Sequence, residues 1–471
     1  MPTVRSRFCA AMASLGLLVA LACGGGGGNG AKPSPEPTPE PTNKVTLILP
    51  PPASGTGGSY WVACQDGQGA WKVLTGVPSG PTTTTYSFLV GDLSGRYGLA
   101  VVDIYPLGGG AYGYYGMLEH FTLSEVRTLD YSTLGPVSTA SVSGTVSGLT
   151  SADGARIATG SYTKTLNPGV TGSLLSAAVG NADFLAARLP GMGPADALVV
   201  RRGYPVPASG GTSVGFHFPD GWALVPQTCT VTGLTLSESL TLSAEWRTPT
   251  TPIKLAEATA SPMAFNAVPS NYMQSGDLHV LTATAKDSTA LTYRYAMAYR
   301  LSASGLNLSL PQACPVPTFG AGSGSAYYRP TLSWTTLEGA QVHDLLIGDA
   351  YELLDWSIHF SKGWLGVFTS PSYTFPDFSS LSGWSSAWGL PFGRDLYWNF
   401  SQRQTTHADP GFFFDGPRSF LADHSAWESM RYGGVNVVGP SAFAQPRVWR
   451  PELRPRKASG IVSSLRFRTP D

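Results

Sequence analysis

Val142-Ser143-Gly144-Thr145-Val146-Ser147-Gly148-Leu149 sets apolar or small residues at every second position, hydroxyl-bearing residues between them, and a glycine at the end. A period of two marks a strand with one buried face, because successive side chains leave the pleated backbone on opposite sides. Cys229-Thr230-Val231-Thr232-Gly233-Leu234 repeats the phrase, with Gly233-Leu234 in the place of Gly148-Leu149. The two copies are read as an internal repeat of about 80–90 residues, the size of a small β-sandwich.

The same alternation, broken by turn residues at intervals of roughly 8–15 residues, runs from Lys44 onward. Composition agrees. Charged residues are only 13% of the chain, which leaves little material for exposed helix faces, while 12 Trp and 20 Tyr suit a half-buried pleated surface. The expected class is all-β, with tandem β-sandwich domains of immunoglobulin or fibronectin kind. At 471 residues the chain is too long for one core. The expected organisation is 44–136, 137–228, 229–315 and 316–471 as successive β-rich units.

Within the first unit, Tyr60-Trp61-Val62-Ala63-Cys64 and Trp71-Lys72-Val73-Leu74 flank Gln65-Asp66-Gly67-Gln68-Gly69, and the Asp-Gly pair predicts a hairpin. Thr82–Val90 and Tyr97–Ile104, joined by Gly91-Asp92-Leu93-Ser94-Gly95, predict a second one.

The N-terminus is different in kind. Arg5 and Arg7 precede an apolar run from Phe8 to Ala22, too short to span a bilayer, and Cys23 follows. The run ends Val19-Ala20-Leu21-Ala22-Cys23, which resembles the lipobox of bacterial lipoproteins, with Ala20 where leucine is commoner. The resemblance implies cleavage after residue 22 by signal peptidase II and diacylglycerol on the Cys23 thiol. Residues 23–43 are then a tether: Gly24 to Gly28 have no side chains to order them, and Pro33, Pro35, Pro37, Pro39 and Pro41 leave polyproline II as the accessible state. Gly25 stands where an Asp would favour inner-membrane retention, so the expected address is the outer membrane or cell surface.

Loss of Arg5 and Arg7 turns a formal charge of +0 into about −2, so no global field selects nucleic acid as a partner. The expected partners are the membrane, through the lipid on Cys23, and an envelope polysaccharide or protein. Cys64, Cys229 and Cys314 lie far apart, neither a dense disulfide framework nor a CxxC metal site. Free buried thiols are the expected state, with a Cys229–Cys314 bridge as the alternative.

From about Tyr327 the chain resembles a fibronectin type III module. Pro330-Thr331-Leu332-Ser333-Trp334 looks like its Trp-bearing early strand, Ser372-Tyr373-Thr374-Phe375-Pro376 like a mid-module edge, and Asp395-Leu396-Tyr397-Trp398-Asn399-Phe400 like its late Tyr strand. The insertion around Trp384–Trp388 and the tail after Gln402 depart from that pattern. Such modules serve as spacers and adhesive surfaces, and the resemblance brings no catalytic residues with it.

Three patterns carry the look of chemistry. Gly211-Thr212-Ser213-Val214-Gly215 matches a nucleophile elbow, but Phe216-His217-Phe218-Pro219-Asp220-Gly221 follows where an elbow needs a helix. Ser161-Tyr162-Thr163-Lys164 matches S-x-x-K, yet it alternates like a strand, which would hold Ser161 and Lys164 apart. His407, Asp409, Asp415, Asp423, His424 and Glu428 could ligate a divalent ion, although their spacing is no ligand signature and Asp423 reads as the cap of a short helix holding Trp427 and Met430. Neither a catalytic set nor a metal or cofactor site is expected.

The aromatics between Trp356 and Trp449 either fill a core or form a sugar-stacking strip. The leading expectation is a non-enzymatic envelope lipoprotein displaying β-sandwich modules. A carbohydrate-binding lipoprotein is the alternative, and a hydrolase with an unrecognised site comes third.

Overall fold

The computed structural model describes residues 41–50, 59–80, 83–108, 111–131, 138–320, 322, 326–349, 354–367, 369–407, 423–437 and 445–447. Cys23, the tether before Pro41, Asp409, Asp415, Trp449 and the basic tail after Arg447 lie outside them.

The repeat announced by Gly148 and Gly233 is a module, and its clearest copy spans Thr139 to Ala223. Thr139–Ser147 buries every second residue, and it forms the middle of a three-stranded sheet between antiparallel Gly172–Ala178 and parallel Thr212–His217. Facing it is a second sheet in the order Tyr162–Leu166, Gly154–Thr159, Gly180–Leu189, Ala197–Val206 and Trp222–Ala223. Val142, Leu175 and Val214 from one sheet meet Ile157, Phe184 and Val199 from the other, so the module is a β-sandwich.

The order recurs in the next copy. Val225–Thr232 lies between antiparallel Met263–Ala267 and parallel Leu306–Ser309. In the first copy Lys44–Leu49 lies between antiparallel Thr83–Leu89 and parallel Thr128–Asp130, with Val77–Gly80 outside Thr83–Leu89. In the fourth, Thr331–Ser333 lies between Ser372–Thr374 and Thr318–Gly320, both antiparallel. The shared glycine has a physical reason. Gly148 and Gly233 sit at φ 77° and 82°, the left-handed region where a β carbon is costly, just where the central strand turns toward the facing sheet.

The large sheets of three copies merge edge to edge. The path runs Pro252–Ala258, Glu238–Arg247, Leu278–Asp287, Thr292–Arg300, then His424–Asn436, Asp395–Thr405, Val342–Asp349, Leu354–Ser361, then Ala111–Thr122, Arg96–Gly108, Ser59–Asp66 and Lys72–Val73. Gln445–Arg447 adds a thirteenth strand on His424–Asn436. The third and fourth modules join antiparallel, with Thr292 opposite Arg431 and Tyr299 opposite His424. The fourth and first join in parallel, with Leu354 opposite Tyr114 and Phe360 opposite His120. Residues far apart in sequence thereby form one compact unit from Pro41 onward.

One end of this long sheet is covered and the other is an exposed strand of only two residues, two ways in which an edge avoids pairing with other chains. At one end, Arg156 Nη1 donates to the Lys254 carbonyl at 2.5 Å and the Ala195 amide to the Leu255 carbonyl at 2.7 Å, so the second module caps the outer strand. Leu185, Ala187 and Leu198 pack there on Trp246, Ile253 and Leu255. The other end is the two-residue strand Lys72–Val73.

Two local expectations change. The Asp66-Gly67 hairpin forms, with Ala63 opposite Val73, but Gly91–Gly95 is not a hairpin turn. Thr83–Leu89 pairs with Lys44–Leu49 in the small sheet, and Arg96–Gly108 pairs with Ser59–Asp66 in the large one. The loop crosses between sheets, held by the Asp66 carboxylate on the Gly91 and Asp92 amides at 2.9 Å. Nor does Asp423 cap a helix: Trp427 and Met430 lie on the strand His424–Asn436, where pairing on both sides overrides local helix preference. Cys64, Cys229 and Cys314 are buried free thiols. No helix among the described residues is long and apolar enough to cross a membrane.

Candidate functional site

The sequence candidates do not converge. Ser213 is exposed on Thr212–His217, which runs into a single 3-10 turn at Phe218–Asp220. Its carbonyl accepts the Tyr204 hydroxyl at 2.9 Å. Ser161 sits in the turn before Tyr162–Leu166, while Lys164 lies on that strand opposite Ile157. Of the possible metal ligands, His424 and Glu428 share a face of one strand, and four residues of extended chain separate them by about 13 Å. His424 stacks on Tyr299 with ring centroids 4.2 Å apart, whereas Glu428 lies opposite Tyr295 on one side and Arg403 on the other. His407 meets His424 edge-on at 5.0 Å. No group of three or more His, Cys, Asp or Glu among the described residues forms a metal site.

The aromatics gather in a core. Trp356, Phe375 and Phe378 are buried, and Trp61 of the first module stacks edge-on against Phe378 and Trp384 at 5.3 and 5.0 Å. The insertion at Trp384–Trp388 thus covers the face of the first module's sheet that carries Trp61, Ala63, Ala100 and Val102.

The polar arrangement that does converge lies on the opposite face, across the parallel seam. Ser401, Asp344, His359 and Glu119 stand directly opposite one another on four neighbouring strands. Glu119, His359, Asp344 and Arg403 are 1%, 6%, 9% and 5% exposed, so this is a charged row inside the protein. Asp344 accepts from His359 Nδ1, from Arg403 Nε at 2.6 Å and from Ser401 Oγ at 3.2 Å. His359 Nε2 is 2.9 Å from Ser357 Oγ and 4.0 Å from Glu119 Oε1. The Tyr131 hydroxyl donates to Glu119 at 3.3 Å.

Asp344, His359 and Ser357 are connected as an acid–base–nucleophile triad would be. Their electrostatics oppose that use. Burial alone would push His359 toward its neutral form, but Glu119 and Asp344 outweigh burial and hold it above its ordinary value, which favours the protonated ring over the neutral one. A general base must begin unprotonated to take a serine proton. The strand pairing of Ser357 with Leu346 on one side and Met117 on the other also commits its backbone to ladders rather than to an oxyanion. What the row can do is join strands. Burial likewise raises Asp344, yet Arg403 and His359 bring it well below the carboxylate range, while burial raises Glu119 to about 7.

None of these residues belongs to a recognisable motif. Their signal in the sequence is an ionisable residue at an inward position of a strand, as with Glu119 in Tyr114–Phe121 and His359 in Leu354–Phe360.

No known family's sequence model matches the chain, and no curated protein matches it. Among solved structures, it is similar to a tetra-tandem repeat from the extending region of a large adhesion protein, at 13% identity over 76% of this chain and 95% of that one, with a TM-score of 0.14. The all-β assignment rests on the strand pairing itself.

Proposed function

We propose that this protein is a non-enzymatic cell-envelope lipoprotein, held at the outer membrane or cell surface by lipid on Cys23, whose fused β-sandwich modules form a stiff platform for structural or adhesive contacts. The observation that carries the reading is the merged sheet, in which the buried Asp344–His359 pair of the fourth module faces Glu119 of the first across the seam at 4.0 Å. A tether of Gly24–Gly28 and alternate prolines is the spacer such a platform needs to stand off a lipid surface. Its partners are the membrane and an envelope polysaccharide or protein, with no nucleic acid among them.

Two measurements test it. Expressed in a bacterial host with radioactive palmitate, the wild type takes up label and fractionates with membranes, and Cys23→Ser does neither; an unlabelled wild type removes the anchor. Limited proteolysis of the full chain leaves the first, third and fourth modules associated, and their release as separate fragments removes the platform.

A further inference from the structure

We infer that the parallel seam between the first and fourth modules is a pH-gated joint, closed in mildly acidic medium and loosened as the medium turns alkaline. This goes beyond the platform reading, which requires only that the seam exist.

The seam has two unlike faces. On one, Trp356 lies over Gly116 and Ile358 beside Leu118, an apolar contact whose one titratable cross-seam residue is His120, opposite Phe360. On the other, Val342 and Leu346 of the fourth module pack into the first module's core and Glu125 accepts from Ser361 Oγ and the Gly363 amide, but the row at the centre of the face is ionisable. The first module supplies Glu119, with the hydroxyl of Tyr131 on it and Tyr97 and Tyr115 close by. The fourth supplies His359, Asp344 and Arg403, with Glu428 opposite Arg403. With Glu119 protonated, two cations, His359 and Arg403, face two anions, Asp344 and Glu428. Ionising Glu119 adds a third anion. Its Oε2 is buried and has no hydrogen-bond partner among the described residues, so the Tyr131 hydroxyl and His359, both on the Oε1 side, offset only part of the burial cost of the new charge.

The direction follows from proton linkage. Glu119 is raised by burial from 4.5 to about 7, so the closed seam holds a proton that an open one releases, and closure weakens as pH rises through that interval. His359 is also raised, by Glu119 and Asp344 against burial, so its contribution is complete below its ordinary 6.5 and is lost as pH climbs past it. His120, on the apolar face between Phe360, Trp364 and Tyr373, acts oppositely: burial lowers it to about 3, and opening the seam below pH 6.5 would let it take up a proton. The seam is therefore tightest near pH 6 and loosens above it through Glu119 and His359.

Hydrogen exchange of the full-length chain, corrected for intrinsic rates, tests this at pH 6.5 and pH 8.5. Amides of Ala111–Thr122 and Leu354–Ser361 should exchange at least about fourfold faster at the higher pH, the part that Glu119 alone supplies. Those at the junction of the second and third modules, where Leu185 and Leu198 meet Trp246 and Leu255, should not. Glu119→Gln, which keeps the shape and removes the charge, should flatten the rise. An unchanged seam in the wild type, or a rise equal to that of the control junction, overturns the joint, and neither comparison depends on the variant folding. A Glu119→Gln protein that folds and keeps the full rise overturns it as well.

Discussion

The indole of Trp356 lies across Gly116, its cross-strand partner on another module, so closely that a β carbon on Gly116 would sit 2.3 Å from the ring. A glycine in a strand usually weakens it. Here the missing side chain is the space that the fourth module's tryptophan occupies, and the seam depends on both residues.

Gly116→Ala should therefore destabilise the protein by about 1–3 kcal/mol through overpacking, and Trp356→Ala by about 3–5 kcal/mol through the cavity left in the core. Denaturant midpoints measure both. A Gly116→Ala protein as stable as wild type would mean the ring has room to move.

Three buried histidines set the acid limit of the fold. His343 Nδ1 accepts the Trp334 indole N–H at 3.1 Å, His279 Nε2 accepts the Val268 amide at 3.1 Å, and His120 Nε2 lies 2.8 Å from the Tyr373 hydroxyl. Burial lowers them to about 4, 4 and 3. Each is neutral when folded and charges on unfolding below pH 6.5, so their contribution is complete above 6.5 and drains away toward pH 4. The melting temperature should fall steadily across that interval. A flat profile between pH 6.5 and 4 would contradict it.

Burial raises the thiols of Cys64, Cys229 and Cys314 to about 11, 11 and 12, so little thiolate exists at neutral pH. Native protein should react slowly with an aromatic disulfide reagent, and denatured protein should titrate all three at once. A fast-reacting thiol in the native protein would place one of them at a surface.

The stretch 447–468 carries Arg447, Arg450, Arg454, Arg456, Lys457, Arg466 and Arg468 against one acid, Glu452. Salt-sensitive attraction to anionic lipid should follow. Deleting 447–471 should weaken low-salt binding to anionic vesicles by several-fold, and binding unaffected by the deletion would end the idea.

The strand positions were legible because they depend on local pattern: Thr139–Ser147 alternates in sequence as it does in burial, and Gly148 and Gly233 mark turns that only glycine enters easily. The all-β class followed from the same periodicity. Which strands would pair was another matter. A period of two fixes the face a residue takes but not the neighbour its edge meets, so Gly91–Gly95 looked like a hairpin turn although it crosses between sheets. Asp344, His359 and Glu119 carry no motif because the row they form exists only after three strands, two of them from one module and one from another, lie side by side. The sequence by itself determined the repeated sandwich; the merging of three sandwiches into one sheet, and the burial of a charged row at their seam, was decided by edge pairing at long range, where backbone hydrogen bonds are the same for every residue and no local signal can name the partner.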